Sequence, residues 1–389
     1  MLSSGGSFRL ATIAGIRVGV SASWFLILFL YIFWFQDQFT GILGDSSLGF
    51  LTAVLTALGF FGSILLHELG HALASRREGI EVSEIELFMF GGFTRMSRAA
   101  DSPGQEFRIA AAGPLVTLLI AVAGFAVGVV VMGWHDFRLA ATLRGSAPAN
   151  VFELWLSFMV SINVLLLAFN LVPAFPLDGG RIAQSIAWRV TGDRSKAIRL
   201  AATLGLVFAA ALIGLGLYQL TSSADAFGGL WYIVLGWLLG SSARAALTQT
   251  AFTDRLEGMT VADVMDAEPV TIPAGMPAAQ AWEDYFLRYQ GWMWFPVVED
   301  DGRWVGMAHR AAIEQIASSD AGTLAMRRVA TPAAPEGEIA SDAPVEALLG
   351  SEPLRRLGVL MATDEQGRVR GIVTRDQAIR ALQARLAPS

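Results

Sequence analysis

Apolar residues run along the first part of this chain in six stretches long enough to cross a bilayer, and after residue 252 the pattern stops. Taking about 20 residues for a hydrocarbon core of about 30 Å, the predicted spans are 18–35, 48–75, 109–132, 151–170, 201–220 and 227–247. Residues 8–20, interrupted by Gly15, read as a short β-hairpin ahead of the first span. Residues 1–15 lack the basic start, apolar core and small-residue pattern of a cleavable signal, so none is expected. Between the second and third spans, Val82, Ile85, Leu87, Met89 and Phe93 alternate with polar residues until Gly91-Gly92 interrupts. That predicts a strand or hairpin at the membrane surface. Backbone at such depth must pair with protein or line a wet cavity, and a glycine pair leaves room for another chain.

Beyond Thr253 short strands and helices alternate, and the pattern repeats. Gly302, Gly306 and Arg310 return 65 residues later as Gly367, Gly371 and Arg375, inside matching apolar strands. This predicts two copies of a small α/β module. The fold class is thus a multi-pass α-helical membrane domain over 1–252, with a short membrane-associated sheet, followed by a soluble α/β pair over 253–389.

Charge orients the spans. Connections 37–47 and 221–226 contain no Lys or Arg, whereas 76–108 carries Arg76, Arg77, Arg95, Arg98 and Arg108, and 171–199 carries Arg181, Arg189, Arg194, Lys196 and Arg199. The positive-inside bias then places both termini and the two basic connections in the cytoplasm, with Arg138 and Arg144 after the third span a mild exception. Only 16% of residues are charged, against about 25% in soluble proteins, which excludes an ordinary soluble enzyme. The net charge of −6 comes from 253–389, with 20 acids against 13 bases, so nucleic acid is not an expected partner. Of the 28 cationic residues 27 are Arg, a usage typical of a high-GC, prokaryotic genome. Cysteine is absent, which removes disulfides, thiol catalysis and thiolate metal sites together and leaves four histidines to account for.

Two of these lie in Leu66-His67-Glu68-Leu69-Gly70-His71. Four residues apart on a helix they share a face and can ligate one metal ion, with Glu68 placed to reach a metal-bound water. Zinc lowers the pKa of such a water toward about 7, and a neighbouring carboxylate can take its proton and return it to a leaving amine. The competing account is two satisfied core histidines and a surface glutamate. It fits poorly inside an apolar stretch, where a carboxylate costs a few kcal/mol. Catalytic zinc usually has three protein ligands. His135 is expected in an outer loop and His309 belongs to the tail, which points to a carboxylate near the cytoplasmic end of another span. Asp178 fits, in Asn170-Leu-Val-Pro173-Ala-Phe-Pro176-Leu-Asp178-Gly179-Gly180-Arg181. Alone, that segment would read as an Asp-Gly turn after a helix.

Together these motifs, with Gly91-Gly92-Phe93 and Ala112-Gly113-Pro114, resemble the site-2 protease family of intramembrane zinc metalloproteases (peptidase family M50) over about residues 5–250. The resemblance implies that His67, His71 and Asp178 bind one zinc ion per chain and that Glu68 is the general base. It further implies that Asn170 stabilises the tetrahedral oxyanion and that Gly91-Gly92 borders the substrate. The implied substrate is a single-span membrane protein, such as an anti-sigma factor or a signal-peptide remnant, cut near the cytoplasmic side of a prokaryotic inner membrane. Thr117 departs from the pattern, since many members carry Asn there. The tail resembles a pair of CBS modules, about 258–318 and 323–387. Gly371-Ile-Val-Thr374-Arg375-Asp376 matches the element in which Thr and Asp contact ATP or AMP, and such pairs also form homodimers. The first copy has His309 and Ala311 at those positions, so one nucleotide site at most is implied. Trp292, Trp294 and Phe295 read as core or interface.

Two other functions compete. CBS pairs also hang on channels and carriers, where intramembrane charge would line an ion path, but no inverted repeat is evident across the six spans. A proteolytically inactive binding protein of the same fold would not need Glu68.

Overall fold

In hydrocarbon a backbone must satisfy its own polar groups, so long apolar runs become helices. Among the described residues of the computed structural model, six helices are long and apolar enough to cross a membrane, matching the six predicted spans. The model describes residues 8–89, 91–141, 150–222, 226–256, 258–349 and 351–386, in two units, Met1–Thr250 and Ala251–Ser389. Arg144, part of the 221–226 connection, and residue 387 at the end of the second module lie outside the described residues.

The first unit opens on β1 (Phe8–Ile13) and β2 (Ile16–Val20), an antiparallel hairpin turning at Ala14-Gly15. The first span was expected from residue 18, but Val18 and Val20 are buried in β2, and α1 runs from Ala22 to Leu43. A buried strand and a buried helix turn look alike in a short apolar run. Helix α2 (Ser46–Arg77) follows, capped at its start by Asp45, and leads into β3 (Val82–Phe88) and β4 (Gly91–Met96). β2 pairs parallel with β3, and β3 antiparallel with β4, giving the order β1-β2-β3-β4 with β4 at an edge. Ile16, Val82 and Ile85 pack on Ala72 of α2, and Val20 and Leu87 on Trp24, Phe61 and Ile64. The sheet is therefore fastened to the end of α2 that carries the histidines.

Helix α3 (Pro103–Ala141) runs past its predicted end at residue 132. It breaks at Gly133, with φ of 76°, and continues, so His135 is helical rather than in a loop. Phe137 folds back on Gly128, where a Cβ would lie 2.5 Å from its ring. Helix α4 (Val151–Asn170) runs parallel to α2 at a constant offset. Trp155 Nε1 donates to the Leu55 carbonyl at 3.2 Å, Met159 Sδ lies over Gly59, and Asn163 Nδ2 donates to Ser63 Oγ at 3.1 Å. The connection 171–199 contains an unforeseen helix, α5 (Asp178–Thr191), which buries Gly179, Gly180, Gln184 and Ser185. Helices α6 (Arg194–Ser222) and α7 (Ala226–Leu256) complete the spans.

Among its described residues the second unit holds two sheets. One has β5 (Ile272–Pro273), β6 (Trp294–Val298), β7 (Trp304–His309) and β8 (Thr331–Pro332) in that order. The other has β9 (Glu338–Ala340), β10 (Val359–Thr363) and β11 (Val369–Thr374), ordered β11-β10-β9. The repeated glycines do repeated work. Gly302 and Gly367 turn the two hairpins at φ of 85° and 74°. Gly306 and Gly371 admit a crossing chain, since a Cβ would lie 2.3 Å from the Thr331 carbonyl oxygen in one and 2.5 Å from that of Asp266 in the other. The modules interleave rather than following one another as blocks. Leu256, Val261 and Val264 join the core of Val345, Leu360 and Val373, while β8 completes the first sheet. Phe295 is fully buried, Trp292 stacks on it, and Trp294 packs against Val359, Met361 and Ile372.

Candidate metal centre

His67 and His71 lie one turn apart on the buried face of α2. His71 Nδ1 is 2.7 Å from the Ile109 carbonyl oxygen, which can only accept, so that nitrogen carries the hydrogen. His67 Nδ1 is 2.9 Å from Thr117 Oγ1, whose own hydrogen goes to the Gly113 carbonyl at 3.3 Å. Thr117 therefore accepts from His67. Both imidazoles are left with bare Nε2 atoms turned inward, and these stand 3.1 Å apart. Asp178 Oδ2 lies 3.0 Å from the first and 3.2 Å from the second.

Three acceptors so close repel one another in a low-dielectric interior unless a cation sits among them. A zinc ion about 2.0–2.1 Å from tetrahedral donors sets them roughly 3.3 Å apart, close to the distances found. Imidazoles fixed through Nδ1 by a carbonyl and a hydroxyl are the usual outer support of such a site. The donor set fits zinc.

Asp178 reaches the histidines because two glycines let α5 begin against its own linker. A Cβ on Gly179 would lie 2.4 Å from the Leu171 and Val172 carbonyl oxygens, and one on Gly180 2.4 Å from Phe175 N. The linker is held in turn by α6, with Phe175 N donating to the Ala201 carbonyl at 3.1 Å. One turn into α5, Arg181 Nε donates to the buried Glu106 of α3 at 2.8 Å. Helix α3 thus supplies Glu106, Ile109, Gly113 and Thr117 to one cluster.

Glu68 points one step round α2 toward β4. Thr94 Oγ1 donates to Glu68 Oε2 at 2.7 Å, and Gly92 gives way to its stem, since a Cβ there would lie 2.3 Å from Glu68 Cγ. Oε1 takes no hydrogen bond among the described residues. Asn170 closes α4, half-buried. Sequence reasoning did not reach Thr94 or the Glu106–Arg181 pair. It noted Thr117 only as a departure, yet Thr117 supports a histidine. In the tail, Thr374 caps the helix Arg375–Leu386, its Oγ1 donating to Gln377 Oε1 at 2.8 Å and accepting from Gln377 N at 3.3 Å. Asp376 is exposed in the first turn of that helix.

A model of peptidase family M50 matches residues 55–212, and a CBS domain model matches residues 261–314. A candidate zinc metalloprotease of Synechocystis sp. is 31% identical over 327 residues, 82% of this chain and 82% of its own. Rip3, a candidate zinc metalloprotease of Mycobacterium tuberculosis, is 33% identical over 334 residues, covering 83% of this chain and 79% of its own. The solved site-2 protease from Methanocaldococcus jannaschii is 24% identical, with a TM-score of 0.41, covering 62% of this chain and 95% of that one.

Proposed function

Because the chain belongs to peptidase family M50, as a multi-pass membrane metalloprotease with a CBS region, we propose that it cleaves transmembrane segments of single-span proteins at His67, His71, Asp178 and Glu68. The observation carrying this reading is the triangle of two bare imidazole nitrogens and a carboxylate oxygen, with a second carboxylate one residue away. Membership in a hydrolase family removes the carrier reading.

Zinc, when bound by His67, His71 and Asp178, supplies the Lewis acidity that makes a water nucleophilic near neutral pH. Glu68 takes the proton through Oε1 and returns it to the leaving amine, while Thr94 keeps Oε2 occupied and the carboxylate oriented. Asn170 donates from its amide to the developing oxyanion. A peptide bond inside a helix is shielded, so the substrate must unwind. The open edge of β4, directly over Glu68, can then receive it as an added strand. Arg-rich connections support cytoplasmic termini and a cytoplasmic-side cut in a prokaryotic inner membrane.

Metal content of the purified full-length protein tests the site. About one zinc per chain is expected, and Asp178→Asn should weaken binding by more than the roughly 10–100-fold that follows loss of an outer-shell partner, since a neutral amide replaces an anionic ligand. Unchanged stoichiometry and affinity would move the third ligand elsewhere.

The CBS pair is proposed to bind ATP or AMP once, through Thr374 and Asp376, to tune cleavage by the roughly 5–150-fold typical of coupled sites, and to pair chains as a homodimer. The exposure of Asp376 at a helix start supports this; the cap that Thr374 already makes means its hydroxyl must serve both tasks. Titration calorimetry on the full-length protein should show one adenine-nucleotide site, weakened in Asp376→Ala. Absence of heat with every adenine nucleotide would remove the sensor role and leave the membrane site untouched.

A further inference from the structure

Asn163 is fully buried on α4, and only half of its amide is in use. Nδ2 donates to the Met159 carbonyl at 2.8 Å and to Ser63 Oγ at 3.1 Å. Oδ1 is buried with no partner. The orientation is not arbitrary, because turning the amide over would set Oδ1 against the Met159 carbonyl, two acceptors face to face. Ser63 donates its hydrogen to the Gly59 carbonyl at 3.1 Å and receives Nδ2, which leaves it one further lone pair. A buried acceptor without a donor is rare in native proteins, and a bound water is its usual complement. Apolar voids stay dry, whereas a polar one with at least two partners holds water. Here the two are Asn163 Oδ1 and Ser63 Oγ, neutral groups that suit water rather than an ion.

Ser63 precedes His67 by one turn of α2, on the same buried face, and Asn163 stands level with Ser63 in the register of the two parallel helices. We propose that Asn163 and Ser63 hold an internal water at the α2–α4 seam, one turn deeper in the membrane than His67. If the metal centre works as a peptidase, a role that rests on the preceding reading, this water is a reserve on the side away from the sheet. Each cleavage consumes one water, and hydrocarbon supplies none.

Radiolytic hydroxyl-radical footprinting reads this without any activity, because X-ray pulses generate radicals from bound water in place. In the solubilised full-length protein Met159, buried and bonded through its carbonyl to Asn163, is the reporter. Buried Met326 and Met361 give the dry baseline, and exposed Met293 gives the solvent level. Met159 is expected to be oxidised well above Met326 and Met361, and Asn163→Leu to bring it down to their level. Asn163→Ser, which keeps a polar group and adds room, should retain the labelling and covers the case in which the leucine variant fails to fold. Met159 as unreactive as Met326 in the native protein, or equally reactive in a folded Asn163→Leu, would overturn the water site; cleavage and zinc content are not involved in either outcome.

Discussion

Glu68→Gln is expected to abolish peptide-bond cleavage while leaving insertion and zinc content unchanged. The amide carbonyl can accept from Thr94 Oγ1 as Oε2 does at 2.7 Å, and it fits the space Gly92 leaves for the stem. What changes is basicity at the other end of the side chain, where an NH2 cannot take a proton from water. Losing a positioned general base costs about 10²–10⁴-fold, and the loss should fall on kcat rather than on substrate binding. Cleavage of a single-span substrate in detergent or vesicles, alongside metal analysis of the same preparation, separates the two. Near-native turnover by the variant would remove Glu68 from the chemistry.

Gly113→Ala should be as damaging by a different route. The added Cβ would stand 2.2 Å from His71 Nε2 and 2.7 Å from His67 Nε2. That is inside the space the three acceptors surround, so the methyl displaces the ion and presses the imidazoles off Ile109 and Thr117. Zinc and activity should both be lost. Gly62→Ala on α2 is the matched control, because a Cβ there meets nothing within 4 Å and should leave zinc content unchanged. A Gly113→Ala protein that keeps stoichiometric zinc would show that the ion does not sit among these three donors.

What was readable in the sequence follows the reach of each interaction. His67, Glu68 and His71 were legible because a helix turn fixes their relation locally. Asp178 lies 107 residues beyond His71, so no local spacing joins them, and only elimination and the family resemblance pointed to it. The six spans were legible because lipid imposes one solution on long apolar runs. The start of α1 lies later than the apolar run suggests because Val18 and Val20 belong to β2, which pairs on one side with β3, a strand that comes much later in sequence. Helix α5 was hidden in a basic connection, its polar face masking a short apolar stripe. Thr94, Thr117 and the Glu106–Arg181 pair were out of reach for a single reason: each acts through a partner on another element, and no local pattern marks it.

The parallel pairing of β2 with β3 also sets the order in which this enzyme can be made. A parallel strand pair needs a crossover connection, and here the crossover is a hairpin of two membrane helices, α1 and α2. Leaving the ribosome, β2 has only β1 beside it until both helices have inserted and returned β3 to the same face of the bilayer. Contacts across so long a loop form late, and β4, whose Thr94 steadies Glu68, can join only after β3 has docked. A nascent chain that ends after α2 therefore has its histidines but neither Thr94 beside Glu68 nor Asp178 beside His67 and His71, and the protease stays unarmed until the later elements have docked.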